Sequence, residues 1–470
     1  LRSLPFSLFS DFRRICGGGC IRLREHWIPS LVSALLLGSL LPRGSMGAER
    51  AKPVATTPRA LSLAEAKRIA FQRNWDLLAA KSNVDLAVAQ KIVSHEFPNP
   101  TFEFNPTQIN TDSNPTGTAG HNSILDRNYN TTIAISQLFE IGKRSVRQAS
   151  AAAGLQAAEA SFKDARRTLD LAVSKAYIAA LLAQANVGII HQTMESLLHE
   201  AKIADTRLHA GDISKSDKAQ IEIAAARSEL DAEAALTTAK TARIALEVLL
   251  GSKEAQGEWM PTDSIEELVS ENMATGPAET RPDLLAAQAS VRKAIQDRKL
   301  QEAMRIPDLT LTAEYERQPP DQPNTVGFGI SLPLPIWNQN GGNIRAAQAA
   351  QSAAESQVGK VETQIASDIS VAEAAYQEAV TRWRRYESNI QPRSAEVLKI
   401  ISYAYQKGGA SLLDLLSAER DDNAIRLETA QSMADSATAA ATLVNVKNIS
   451  ASAARAKDQP AKKSHAPSHR

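Results

Sequence analysis

Two stretches of this chain carry the same three residue types at the same spacing. Gly211, Ser214 and Asp217 return 197 positions later as Gly408, Ser411 and Asp414. The chemistry open to such a set is that of a helix end followed by a helix start. Glycine closes one helix, serine caps the next, and the aspartate falls in the first turn, where the helix dipole favours a carboxylate. Arg207 and Leu208 precede the first set and Tyr405 precedes the second. Capping alone would account for both sets.

Other reactive side chains point to less. Glu195 and His199 stand four apart on a helical pattern, with His191 two turns before His199. A weak surface metal site is geometrically open there, but a solvated helix face is the favoured reading. Lys462, Lys463, His465 and His469 lie among Ala, Pro and Ser, which reads as a disordered tail over 451–470 with incidental metal affinity at most. The chain holds no phosphate-cradling glycine loop, no nucleophile elbow and no His-Glu-x-x-His pair, so no enzyme, cofactor or metal centre is expected. With 53 basic and 52 acidic residues there is no one-sign field to attract nucleic acid.

Arg22 and Arg24 precede an apolar run from Ile28 to Leu41 and then the small residues Ser45, Gly47 and Ala48, the order of a secretory signal peptide. Residues 1–48 are therefore expected to be a signal peptide behind an over-extended start. Cleavage near Ala48 would remove Cys16 and Cys20, leaving no disulfide, thiolate or lipidation site. Beyond that run no stretch is expected to reach the roughly 18 to 20 apolar residues of a spanning helix.

The elements that must position the repeated set are themselves repeated. Asp76-Leu-Leu-Ala-Ala80 returns as Asp283-Leu-Leu-Ala-Ala287, and Ile135-Ser136 as Ile330-Ser331. A unit this long implies a duplicated set of elements. The two copies are placed at 61–251 and 281–450, with a linker at 252–280 and extra length in the first copy between Asn105 and Tyr129. Each copy reads as a helix, a strand pair and a long helical hairpin. Apolar spacing predicts one helix from Ser62 to about Glu96, with Ser62 and Glu65 in capping-box relation. Proline-free, Ala-rich sequence predicts a helix over 142–208 of roughly 100 Å at 1.5 Å per residue, and another from Asp212 to Leu250. The second copy predicts helices over 284–304, 343–405 and 411–446, with a kink or joint at Pro392. Helices so long and so poor in aromatics suit antiparallel coiled-coil hairpins.

Thr325 to Leu332 alternates strictly, with Val326, Phe328, Ile330 and Leu332 on one face and Thr325, Gly327, Gly329 and Ser331 on the other. Leu309–Glu316 pairs with it, and Thr101–Asn105 with Asn130–Phe139 fill the same places in the first copy. The pattern fits a lipid-facing strand with a wet inner side, and equally an ordinary half-buried sheet. Four strands cannot close a barrel, and an open edge is not tolerated in lipid, so a membrane role demands an oligomer.

From Leu61 to about Asn448 the chain resembles the TolC-type family of outer-membrane efflux ducts. Glu140-Ile-Gly-Lys-Arg144 with Arg147, and Leu332-Pro-Leu-Pro-Ile-Trp-Asn-Gln-Asn-Gly341, resemble its heavy-metal branch. The resemblance implies a mainly α fold with membrane β: long helical hairpins forming a periplasmic α-barrel, and four strands per chain in a trimeric 12-stranded outer-membrane β-barrel. It implies a homotrimer set in outer-membrane lipid, a periplasmic membrane-fusion adaptor and an inner-membrane pump of the resistance-nodulation-division type. The cargo implied is heavy-metal cations. Drug or type I protein export is the alternative, and a periplasmic coiled-coil scaffold the reading outside that class. Lys143, Arg144 and Arg147 would meet lipid phosphates or stay solvated. Arg207, Leu208, Gly211, Ser214, Gly408 and Ser411 would meet the adaptor. Asp217, Tyr405 and Asp414 would form the gate, with Asp414 in a carboxylate ring. Two departures weaken that gate: Ser417 replaces a second acidic residue, and Ala410 replaces an arginine that commonly joins Asp217 to Tyr405.

Overall fold

The computed structural model describes residues 59–107, 130–269, 278–318 and 322–449. The predicted signal peptide, the basic tail and most of the extra loop length before Tyr129 lie outside these residues. The described chain begins with β1 (Ala60–Leu61), α1 (Leu63–Arg73) and α2 (Trp75–His95). The single helix predicted over 62–96 is therefore two, and Asn74 is the reason. Its backbone turns extended and its side-chain oxygen accepts from the Leu77 N–H at 3.0 Å, which restarts the helix. Ser62 accepts from the Glu65 N–H at 3.3 Å, but the return bond of a capping box is not made.

Next come β2 (Thr101–Thr107), β3 (Asn130–Phe139), α3 (Arg144–Ala210) and α4 (Lys215–Leu249). Along α4 from Ile221 to Ala239 the buried residues are Ile221, Ala225, Ser228, Ala232, Ala235 and Ala239, alternating steps of four and three. That is a coiled-coil seam of small side chains, and it lets α4 lie close against the 67-residue α3. Past α4, Gly251 takes φ +78°, and a Cβ there would lie 2.3 Å from the Arg73 carbonyl oxygen. Only glycine lets the chain pass so close to the end of α1.

The connecting segment carries β4 (Met260–Pro261) and α5 (Ile265–Leu268), and β4 pairs in parallel with β1. This small parallel pair was not foreseen. It sits on the main apolar cluster, where Trp259 stacks on Tyr177 at 6.0 Å and the Tyr177 hydroxyl donates to the Leu61 carbonyl at 2.9 Å. Here one sequence expectation fails: α3 does contain an 18-residue stretch apolar enough to cross a membrane. Leu169, Val173, Tyr177, Ile178 and Leu181 of the same helix are buried in this cluster, and 39% of the apolar stretch is buried within the chain.

The rest of the chain supplies α6 (Pro282–Ala303), β5 (Leu309–Gln318), β6 (Gln322–Ser331) and α7 (Gly341–Arg385), then a π-helical turn over Tyr386–Ile390, α8 (Gln391–Gln406) and α9 (Leu412–Val446). The joint expected at Pro392 is that π turn. Proline cannot supply the next N–H of an α-helical ladder, and the wider turn before it absorbs the gap.

The four long strands form one antiparallel sheet in the order β2-β3-β5-β6. Its register aligns Phe102 with Ile135, Ile133 with Tyr315, and Ala313 with Phe328. One face thus collects Phe102, Phe104, Ile133, Ile135, Leu311, Tyr315, Val326, Phe328 and Ile330, and Phe328 is 86% exposed. The opposite face carries Glu103, Thr132, Ser136, Thr312, Glu314, Gly327 and Gly329. Among the described residues β2 and β6 each have one unpaired edge.

At the strand exits the three basic residues have partners within the chain. Lys143 pairs with Asp308 at 2.7 Å, Arg147 with Glu140 through both guanidinium nitrogens, and Arg144 lies 3.6 Å over the Phe97 ring while donating to the His95 carbonyl. The expectation of lipid-phosphate contact or free solvation is corrected: these side chains lock the strand-to-helix junction.

Candidate functional site

The two hairpin tips bring the repeated set into matching geometry. At the first tip, Gly211 adopts φ +82°, its N–H donates to the Leu208 carbonyl, and the Asp212 N–H donates to the Arg207 carbonyl at 2.9 Å. At the second, Gly408 adopts φ +79°, its N–H donates to the Tyr405 carbonyl, and the Gly409 N–H donates to the Ala404 carbonyl at 2.8 Å. Both are helix stops closed by a left-handed glycine. Ser214 and Asp217 then form a reciprocal capping box, as do Ser411 and Asp414. The Ser411 hydroxyl also donates to Asp414 at 2.7 Å, and its hydroxyl and N–H together hold the Asp414 carboxyl below its usual range.

Tyr405 behaves differently. It is 5% exposed and sits in an apolar cluster with Ala204, Ile221, Leu412 and Leu415, drawn from both hairpins. The Arg207 guanidinium covers its ring at 4.9 Å. Burial pushes the phenol pKa up, Arg207 offsets part of that, and Glu200 and Asp217 add to the rise. Asp217 therefore reaches Tyr405 through its field, while its hydrogen bonds go to Ser214. Arg207, from the first tip, thus stands on the tyrosine of the second.

Ala410, Asp414 and Ser417 line one groove of about 700 Å³ between α8 and α9, together with Arg393, Val397 and Ile401. Ala410 and Ser417 thus share one groove with Asp414. Gly211, Ser214, Gly408 and Ser411 are exposed at the outer turns, and Leu208 is half-buried. His191 meets Glu195 at 3.5 Å on an exposed face without His199, and no group of three metal-type side chains is found among the described residues.

Sequence reasoning passed over two carboxylates just behind the tips. Glu200 of α3 is 8% exposed, and Glu419 of α9 accepts from the Ser196 hydroxyl of α3 at 3.0 Å. The signal was present: Glu200 interrupts the buried stripe Leu197-Ala204, and Glu419 follows Leu412 and Leu415.

A sheet with an apolar outer face and a polar inner face, standing on helical hairpins with capped tips, defines a class: the subunit of a membrane-anchored helical duct. The profile of the outer membrane efflux protein family matches residues 68–252 and 278–448, and the chain belongs to that family. It is an outer-membrane efflux channel protein. The chain is 25% identical over 371 residues to the cobalt-zinc-cadmium resistance protein CzcC of Cupriavidus metallidurans, covering 77% of this chain and 83% of that one. It is 23% identical over 370 residues to nodulation protein T of Rhizobium leguminosarum bv. trifolii, covering 74% and 77%. Among solved structures, CusC matches with a TM-score of 0.66 at 18% identity, covering 82% of this chain and 91% of that one. The open-state MtrE channel of Neisseria gonorrhoeae matches with a TM-score of 0.63 at 20% identity, covering 83% and 89%. These likenesses show the fold.

Proposed function

We propose that three copies of this chain close a 12-stranded barrel in the outer membrane and that their hairpins continue it as a periplasmic tube. The duct is the outlet of a tripartite pump, joined through a periplasmic adaptor to an inner-membrane transporter of the resistance-nodulation-division type. One observation carries this reading: the sheet presents a continuous apolar outer face and two unpaired edges. In lipid such edges must find strands, and further copies supply them. Its division into two copies at 61–251 and 281–450 places one strand pair and one hairpin in each.

Heavy-metal cations are the proposed cargo, supported by the similarity to a cobalt-zinc-cadmium resistance protein. The tips take the adaptor at Arg207, Leu208, Gly211, Ser214, Gly408 and Ser411. Asp217, Tyr405 and Asp414 form the mouth, where one Asp414 from each copy would favour cations. Planar-bilayer recording of the purified protein, with oligomer mass from the same preparation, tests the assembly. Trimers with discrete cation-preferring steps are expected, and Asp414→Asn should reduce the preference. Monomers without steps would overturn the duct. Zinc, cobalt and cadmium export in cells expressing the whole system, with and without this chain, tests the cargo.

A further inference from the structure

The seam between α3 and α9 behind the tips holds two carboxylates that, among the described residues, form no salt bridge. Glu200 is buried, and its Oε2 has no hydrogen-bond partner among the described residues. Glu419 faces it from α9, half-buried, with a single hydroxyl donor in Ser196. Every cation that could answer them is otherwise engaged or turned to water. Arg426 of α9 pairs with the buried Asp422 at 2.7 Å, Asp422 also accepts from Ser394 of α8, Arg207 covers Tyr405, and His199 is exposed. Asp217 of α4 and Tyr405 of α8 add only negative or neutral groups to this neighbourhood.

From this arrangement we propose that Glu200 and Glu419 are a proton-binding pair that closes the seam between the two hairpins when protonated and loosens the tips when both ionise. The proposal rests on the reading of the tips as the channel mouth. Its physics is local. A neutral carboxyl is accommodated in a seam of this kind, while two carboxylates across it repel in a medium that screens poorly. Burial raises the Glu200 pKa against a partial offset from His199 and Arg207. Burial also raises that of Glu419; the Ser196 hydroxyl offsets part of this, Asp422 and Glu200 add to the rise, and Arg426 opposes it. For acids raised in the folded state, seam stability is greatest when both are protonated and declines as pH climbs from the ordinary glutamate value through the raised ones. The two protons belong to the pair, so the loss is expected in two macroscopic steps that spread it over a wide pH range. The tips therefore open toward the alkaline side.

The test is amide hydrogen exchange on the detergent-extracted full chain, from about pH 4 to about pH 8, corrected for the intrinsic rate. Protection over 197–207 and 412–422 should fall severalfold as pH rises, while residues 169–181 in the main core stay constant. The Glu200→Gln, Glu419→Gln double variant keeps the seam neutral and should show no fall. Glu419→Gln alone retains an acceptor for Ser196 and should lose most of the dependence if the double variant folds poorly. A pH-flat wild type, or a variant with the wild-type slope, overturns the pair. Exchange needs no conducting channel, so missing conductance steps would count against the duct, whereas a flat seam counts against this proposal.

Discussion

The first hairpin sends α3 out unbroken for 67 residues, whereas the second builds the same path from a 45-residue helix, a five-residue π turn and a 16-residue helix. Yet the two tips end in the same glycine stop and the same capping box. Shared caps and unequal rods separate construction from movement: the turn chemistry is common, and the joint belongs to the second hairpin alone. The first tip is also tied across its turn, where Lys218 binds Asp205 at 2.6 Å. Among the described residues no ion pair spans the second tip. The first hairpin is thus continuous and tied at its tip, while the second carries a π joint and no such tie among the described residues.

The comparison breaks most readily at the cluster the hairpins share. Ile221 of the first and Leu415 of the second are each 1% exposed there. Truncating either to alanine should cost about 2–5 kcal/mol and loosen both tips together. Denaturant midpoints with exchange at both tips would check this, and a loss confined to one hairpin would contradict the shared cluster. Pro392→Ala addresses the joint. It restores an N–H to α8 and should stabilise the second hairpin by up to about 3 kcal/mol, slowing exchange over 386–396 without changing α3. Equal slowing of α3 would show that the joint is not local.

Ser214→Ala and Ser411→Ala sharpen the likeness. Each removes one cap and should cost about 1 kcal/mol, to the same extent at both tips, in thermal unfolding. The smallest effect is acid titration. Asp205 is held low by Lys218, and Asp414 by Ser411. A lowered carboxyl contributes above its unfolded value of about 3.9 and is lost as pH falls through the folded one. Local protection at both turns should therefore persist to mild acid and fall only below the ordinary aspartate range, the reverse of the Glu200–Glu419 slope.

Much of this was legible in the residues. Proline-free Ala, Leu and Glu tracts gave the long helices, and the Gly-x-x-Ser-x-x-Asp spacing gave both tips. What escaped depended on contacts distant in sequence. Asn74 reads as an ordinary polar residue inside an apolar period until its side chain is seen capping Leu77 and donating to the Leu249 carbonyl. The β1–β4 pair joins residues 200 apart and is only two residues long, too short for any period to register. Arg144 looked solvated because Phe97 and the His95 carbonyl, its partners, lie some fifty positions away. Arg207 was read as an adaptor contact at the tip, and nothing local announces that Tyr405 lies beneath it.

The unpaired edges of β2 and β6 bear on biogenesis. A single sheet entering lipid alone would leave two rows of peptide groups without partners, each costing several kcal/mol. On the proposed assembly, membrane insertion is a meeting of chains. Its rate should rise more steeply than linearly with the amount of exported protein, and a cell making too little would accumulate unassembled subunits in the periplasm, where exposed strand edges invite aggregation and proteolysis.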